Sequence, residues 1–216
     1  MLGYFSIFER WRYRFLLAVL LATILLQLLL HGSLLGQAIL VLAYGAILVG
    51  GVYATRPQPW LSALCSALAV ALVGLSWYFL FSGPSELTVA LVVVTFLLGA
   101  FTVSRTLITL VTAPAAGADA LAGAIFGYFF LMVVWALLFR ALELWSPGAF
   151  TLAAHGDPFT ELLYFSLVTI TTLGYGNISP IAPFARISAG LEATMGTLYI
   201  AILIARIIGA LARRRG

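Results

Sequence analysis

Asp157-Pro158-Phe159-Thr160-Glu161-Leu162-Leu163-Tyr164-Phe165-Ser166-Leu167-Val168-Thr169-Ile170-Thr171-Thr172-Leu173-Gly174-Tyr175-Gly176 is the stretch that decides the fold. Its first part signals a helix: Asp157 is a good N-cap, and Pro158 suits the first helical position, where no backbone N–H is needed. The apolar run over about 158–171 is too short to cross a bilayer, which takes roughly 20 residues. At membrane depth a run of that length reads as a re-entrant segment. It closes on Thr172-Leu173-Gly174-Tyr175-Gly176, in which glycines alternate with larger residues. Glycine adopts positive φ without a Cβ penalty, so Gly174 and Gly176 allow alternating backbone dihedrals there. The bland alternative is a tight glycine turn between two helices.

Working outward, the stretch lies between two long apolar runs, about 119–145 and 183–210. Four more precede them, at about 15–31, 34–54, 60–82 and 87–112, separated by short Gly-, Pro- and Ser-bearing joints. Each is long enough to span a membrane. The expected fold is therefore all-α: six transmembrane helices plus one re-entrant helix, with a four-span region over 1–113 and a second unit over 118–212. Composition agrees, since 63% of the 216 residues are hydrophobic and 8% charged, against about a quarter charged in soluble domains. No soluble fold of this size hides so much apolar surface, so lipid must solvate it. The formal charge of +4 does not indicate nucleic acid, because the eleven basic residues are all Arg, dispersed or at span ends; that is membrane anchoring. The lone Cys65 sits in an apolar run and reads as a small buried hydrophobe.

Six spans put both termini on one side. With that side in the cytoplasm, Arg10, Arg12, Arg14, Arg56, Arg105, Arg206 and Arg213 to Arg215 fall on or near it, leaving only Arg140 and Arg186 towards the outer face. That asymmetry is what the positive-inside rule expects. Glu86, Glu143, Asp157 and Glu161 lie on the outer side, where their field raises the local cation concentration. The run after Arg14 is longer than a signal-peptide core, so an uncleaved first span is expected. The compact, Arg-only chain suggests a multi-pass protein of a bacterial plasma membrane.

Thr172-Leu173-Gly174-Tyr175-Gly176, with Tyr164 to Thr169 upstream, resembles the pore region of the potassium-channel superfamily, whose filter reads Thr-Val-Gly-Tyr-Gly. The resemblance extends over about 118–212, as outer helix 119–145, pore helix 158–171, filter 172–176 and inner helix 183–210. It implies that the carbonyls of Thr172, Leu173, Gly174 and Tyr175 stack into K+ sites, with the Thr172 hydroxyl completing the innermost. Leu173 and Tyr175 then point outward and brace the filter. One filter strand cannot encircle an ion, so a ring of carbonyls requires a homotetramer. The pore helix aims its negative C-terminal end, about half an elementary charge, at the partly dehydrated cation.

Two positions depart from the family pattern. Asn177 stands where Asp is common after the filter, and Val168 stands where some members carry a carboxylate behind it. Losing both acids together leaves neither buried charge unpaired, and an altered filter brace is expected. The fourth span holds only Arg105, whereas voltage sensing takes about three or four charges per subunit; Arg105 reads as a snorkelling anchor, and the first four spans as a lipid-facing scaffold. In the final span Gly196 occupies the family's hinge position, or else a point of close helix packing. Thr197 would border a central cavity, with Ile200, Ile204 and Ile208 forming an apolar constriction or, alternatively, making ordinary helix contacts. Glu192 inside this span is a functional candidate; a structural pair with Arg140, rather than a proton sensor, is expected. His155, in the outer loop, reads as a solvated histidine rather than a pH-tuning group.

The expected function is passive K+ conduction without intrinsic voltage sensing, K+ being the permeant ion and no organic cofactor being implied. The alternative is a weakly selective monovalent cation channel, which Asn177 and Val168 would favour and Tyr175 opposes. An enzyme is not expected, since no nucleophile–base pair or metal-ligand spacing is visible. A carrier would show paired broken helices in two related halves. The expected partners are lipid and three further copies of the chain; the sequence designates no regulatory subunit.

Overall fold

In a computed structural model the described residues are 2–30, 33–55, 58–82, 87–112, 118–153 and 157–212. They form seven helices: α1 (Leu2–Leu30), α2 (Leu34–Ala54), α3 (Pro59–Ser82), α4 (Leu87–Thr112), α5 (Ala118–Trp145), α6 (Pro158–Ile170) and α7 (Pro183–Ala212). No strand occurs among the described residues. A helix satisfies its own backbone polar groups, which is what a lipid environment demands. Five helices, α2, α3, α4, α5 and α7, are long and apolar enough to cross a membrane. The first expected span, 15–31, is for the most part contained in α1, which starts further upstream and carries Glu9, Arg10, Arg12 and Arg14 in its first half.

Local chemistry sets the helix starts. The Ser33 hydroxyl accepts from the Gly36 N–H at 3.0 Å and opens α2. Asp157 has extended backbone, and its carboxylate accepts from the Thr160 N–H at 2.9 Å and the Thr160 hydroxyl at 2.7 Å, opening α6 with Pro158 in the first turn. Each such cap satisfies an orphan donor of a helix N-terminus, worth about 1 kcal/mol.

The packing centres on α5. Helices α1, α4, α6 and α7 all pack on it, and most of it is buried, whereas α3 and α7 are largely exposed. On α4 and α5 the approach is close: a Cβ on Gly99 would sit 2.7 Å from Val134 Cγ2. One apolar core runs from Tyr13, Leu16 and Leu20 of α1 through Phe126, Phe130 and Phe139 of α5 to Leu162 of α6 and Tyr199 of α7. Near the far end of α5, Phe139, Phe150 and Phe165 form an aromatic triangle with centroids 5.1–5.4 Å apart. It seats α6 against α5 and the segment that follows α5.

Candidate functional site

The site is the segment from α6 to the start of α7. Helix α6 ends at Ile170 with Thr171 as its C-cap, and the chain then alternates its backbone hand. Thr172 has φ 59°, Gly174 φ 61° and Gly176 φ 79°, every second residue over 172–176. The two glycines adopt these values freely, whereas left-handed backbone at Thr172 costs about 1–2 kcal/mol. Such a cost persists only where surrounding bonds over-determine it. Here the Thr172 N–H donates to the Thr169 carbonyl at 2.9 Å, and the Leu173 and Gly174 N–H groups both donate to the Val168 carbonyl, at 2.9 and 3.3 Å. Val168 thus serves the loop through its main chain, while its side chain is buried in α6's packed face.

Beyond the glycines, the Tyr164 hydroxyl donates to Asn177 Oδ1 at 3.1 Å, and the Ser179 hydroxyl donates to the Gly176 carbonyl at 3.3 Å. Main-chain bonds then lace the segment after α5 to the segment after the glycines. Thr151 N–H donates to the Ser179 carbonyl at 3.0 Å, and Ile181 N–H to the Ala149 carbonyl at 2.8 Å. Glu143 folds the first of these segments, accepting from Gly148 N–H at 2.8 Å and Phe150 N–H at 3.1 Å. In the single chain residues 171–177 are exposed, Leu173 at 55% and Tyr175 at 67%. An exposed Leu–Gly–Tyr–Gly segment in an apolar protein is the kind of surface that marks an interaction site.

Behind the loop, α5, α6 and α7 are tied by the polar groups of Tyr128, Tyr199 and Ser166 with Glu192; only Glu192 was singled out from the sequence. The Tyr128 hydroxyl of α5 donates to the Ile170 carbonyl at 3.1 Å, satisfying one of the orphan carbonyls at the end of α6. Tyr199 of α7 stacks obliquely on Tyr128, 5.6 Å between centroids, and donates to the Ala124 carbonyl at 2.6 Å. The Ser166 hydroxyl contacts the Met132 carbonyl at 2.7 Å and meets a carboxylate oxygen of Glu192. A hydroxyl or carboxyl at a helical position facing the packed side of an apolar span was the available signal, because such a group needs a partner in lipid.

The expected pairing of Glu192 with Arg140 does not form. Glu192 is fully buried against α6 and takes Ser166 as its partner. The acids that bear on Arg140 are Asp157 and Glu143, one at the start of α6 and the other one helical turn further along α5.

Gly196 is buried, and a Cβ there would run into the carbonyl oxygen and Cγ1 of Ile170. Helix α7 continues through it without a break. It belongs to the face Ala185, Ala189, Glu192, Gly196 and Tyr199, all buried. Thr197, Ile200 and Ile204 form a parallel stripe, each one residue past a packed position and so turned about 100° from it, and all three are exposed. The Thr197 hydroxyl donates to its own helix at the Ala193 carbonyl, 2.9 Å. The side chain of Ile208, and His155, lie outside the described residues.

Comparison with known proteins bears on this same segment. Residues 125–213 match the family described as "Ion channel". The chain is 36% identical over 74 residues to the potassium voltage-gated channel protein shk-1 of Caenorhabditis elegans, covering 32% of this chain and 14% of that protein. It is 29% identical over 79 residues to two-pore potassium channel 5 of Arabidopsis thaliana, covering 37% and 19%. It is 41% identical over 49 residues to the inward rectifier potassium channel Kirbac3.1 of Paramagnetospirillum magnetotacticum, covering 23% and 17%. The resemblance to the potassium-channel superfamily stands. The matched stretches span less than a fifth of these relatives' lengths, and no solved structure matches.

Proposed function

We propose that the chain is one subunit of a potassium-selective channel, in which four copies surround an axis and present residues 172–176 as a common filter. The observation that carries this reading is the positive φ at residues 172, 174 and 176. Alternating hands let successive carbonyls face one side of a strand, the arrangement that replaces the water shell of K+. The sites would be built from the carbonyls of Thr172, Leu173, Gly174 and Tyr175 and the Thr172 hydroxyl. Four copies close the ring that one strand leaves open, and they would also cover the exposed Leu173, Tyr175 and the open faces of α7.

In this reading α1 is a sixth span, α6 is the pore helix, and Thr197, Ile200, Ile204 and Ile208 line the way from cavity to inner gate. Gly196 serves contact with the base of the filter. With Arg105 alone on α4, conduction is passive and not voltage-sensed. The match to the "Ion channel" family supports a transporter-type protein rather than an enzyme.

The test is K+ against Na+ flux through purified protein in liposomes, with Ba2+ as blocker and Gly174→Ala as control. The expected result is strong K+ preference, blocked by Ba2+ and abolished in the variant. Comparable Na+ flux would instead favour the weakly selective channel and direct attention to Val168 and Asn177.

A further inference from the structure

The N-terminal helices have a task that a lipid-facing scaffold would not have. Helix α1 buries one stripe, Tyr13, Leu16, Leu20, Thr23 and Gln27. Thr23 satisfies its hydroxyl within its own helix, at the Val19 carbonyl, 2.8 Å away. Gln27 does not turn inward in this way. Its side chain, 4% exposed, donates from Nε2 to the Thr160 hydroxyl at 2.9 Å, 133 residues along the chain. That hydroxyl in turn donates to the Asp157 carboxylate at 2.7 Å, which also holds the Thr160 N–H. The amide of α1 is therefore wired into the N-cap of the helix that carries the filter. One residue away, the ring of Phe159 meets Tyr44 of α2 edge-on, 5.9 Å between centroids at 86°. The Tyr44 hydroxyl is buried without a hydrogen-bond partner among the described residues, so the ring is what α2 contributes.

We propose that α1 and α2 set the position of the filter by clamping the first turn of α6, with Gln27 and Tyr44 as positioning residues. The proposal rests on the channel reading for its functional consequence. A buried amide in an apolar span is costly unless paired, and a hydrogen bond in a dry site also fixes direction. Helix α6 is 13 residues long and ends directly at the alternating loop, so a tilt at its start displaces its end.

The experiment uses the full-length protein in lipid nanodiscs and in planar bilayers. Two readouts are taken for Gln27→Leu, Thr160→Val, their double variant, Thr160→Ser, Tyr44→Ala and Tyr44→Phe. One is amide hydrogen exchange resolved by helix; the other is the K+/Na+ permeability ratio. Losing one buried hydrogen bond predicts about fivefold faster exchange in α6, with α3 and α4 unchanged. The same variants should lower the permeability ratio. Adding Gln27→Leu to Thr160→Val should be no worse than Thr160→Val alone, since the bond that Gln27→Leu removes is already gone there. Thr160→Ser and Tyr44→Phe should retain wild-type values, and Tyr44→Ala should not. The proposal is overturned by unchanged α6 exchange in Gln27→Leu, by exchange that rises equally in all helices, or by additive effects of Gln27→Leu and Thr160→Val. If the wild-type protein shows no K+ preference, the channel reading fails on that arm, while the exchange arm still decides whether the clamp exists.

Discussion

Replacing Gly196 by Ala separates two roles this residue can play, because the structure states what a methyl group there would meet. The new Cβ points at the main-chain carbonyl and Cγ1 of Ile170. The Ile170 carbonyl is already fixed by the Tyr128 hydroxyl and lies two residues before Thr172, so it cannot yield cheaply. Overpacking of this kind costs about 1–3 kcal/mol per chain, about 4–12 kcal/mol over the proposed tetramer if each copy contributes independently. The gain in helix propensity from Gly to Ala, about 1 kcal/mol per subunit, offsets only part of this. Gly190 provides the control, since it lies on the same helix and a Cβ there meets nothing within 4 Å in the subunit. Thermal unfolding of the purified oligomer in K+ and in Na+ is the assay, with conduction measured in parallel. If the proposed K+ filter holds, Gly196→Ala should melt lower, lose most of any stabilisation by K+ and conduct less selectively, whereas Gly190→Ala should match wild type or melt higher. A Gly196→Ala protein with unchanged melting and selectivity but altered opening kinetics would refute the packing argument and restore Gly196 as a hinge.

Three further outcomes are expected. Ser166→Ala strips the buried Glu192 of its partner and should lower unfolding free energy in detergent by about 1–3 kcal/mol, while Glu192→Gln, which keeps a hydrogen-bonding side chain, should cost less. Tyr128→Phe leaves the Ile170 carbonyl without its donor and should cost about 0.5–1.5 kcal/mol together with a measurable rise in Na+ leak. Arg105→Gln should leave the voltage dependence of conduction unchanged in bilayer recordings, because one charge per subunit falls short of the three or four a sensor needs; a shifted activation curve would contradict this.

The helix set was legible in the sequence because apolar length and local punctuation act over short distances. Asp157 and Pro158 start α6 through contacts within the first turn, and Gly174 and Gly176 take the positive φ that their missing Cβ allows. Thr172 was not foreseen at φ 59°, since a side-chain-bearing residue enters that region only when surrounding bonds hold it there, here main-chain bonds to the Thr169 and Val168 carbonyls. The partner of Glu192 was missed for a related reason. Helical spacing ranks faces on one helix and offered Gly196 as a packing point, but not that it would meet Ile170 at the end of α6, which sets the register of α7 against α6. Gln27 and Tyr128 stood in apolar runs as isolated polar groups; their need of a partner was readable, the partner's identity was not.

The central claim is that residues 172–176 of four subunits form a ring of backbone oxygens around K+. The most direct measurement is anomalous scattering from crystals of the full-length protein grown in Rb+ as a K+ substitute. The account predicts peaks on a fourfold axis, spaced between the carbonyl layers of Thr172, Leu173, Gly174 and Tyr175. Peaks confined to the acids Glu143, Asp157 and Glu161, or an assembly without a fourfold axis through this loop, would contradict it.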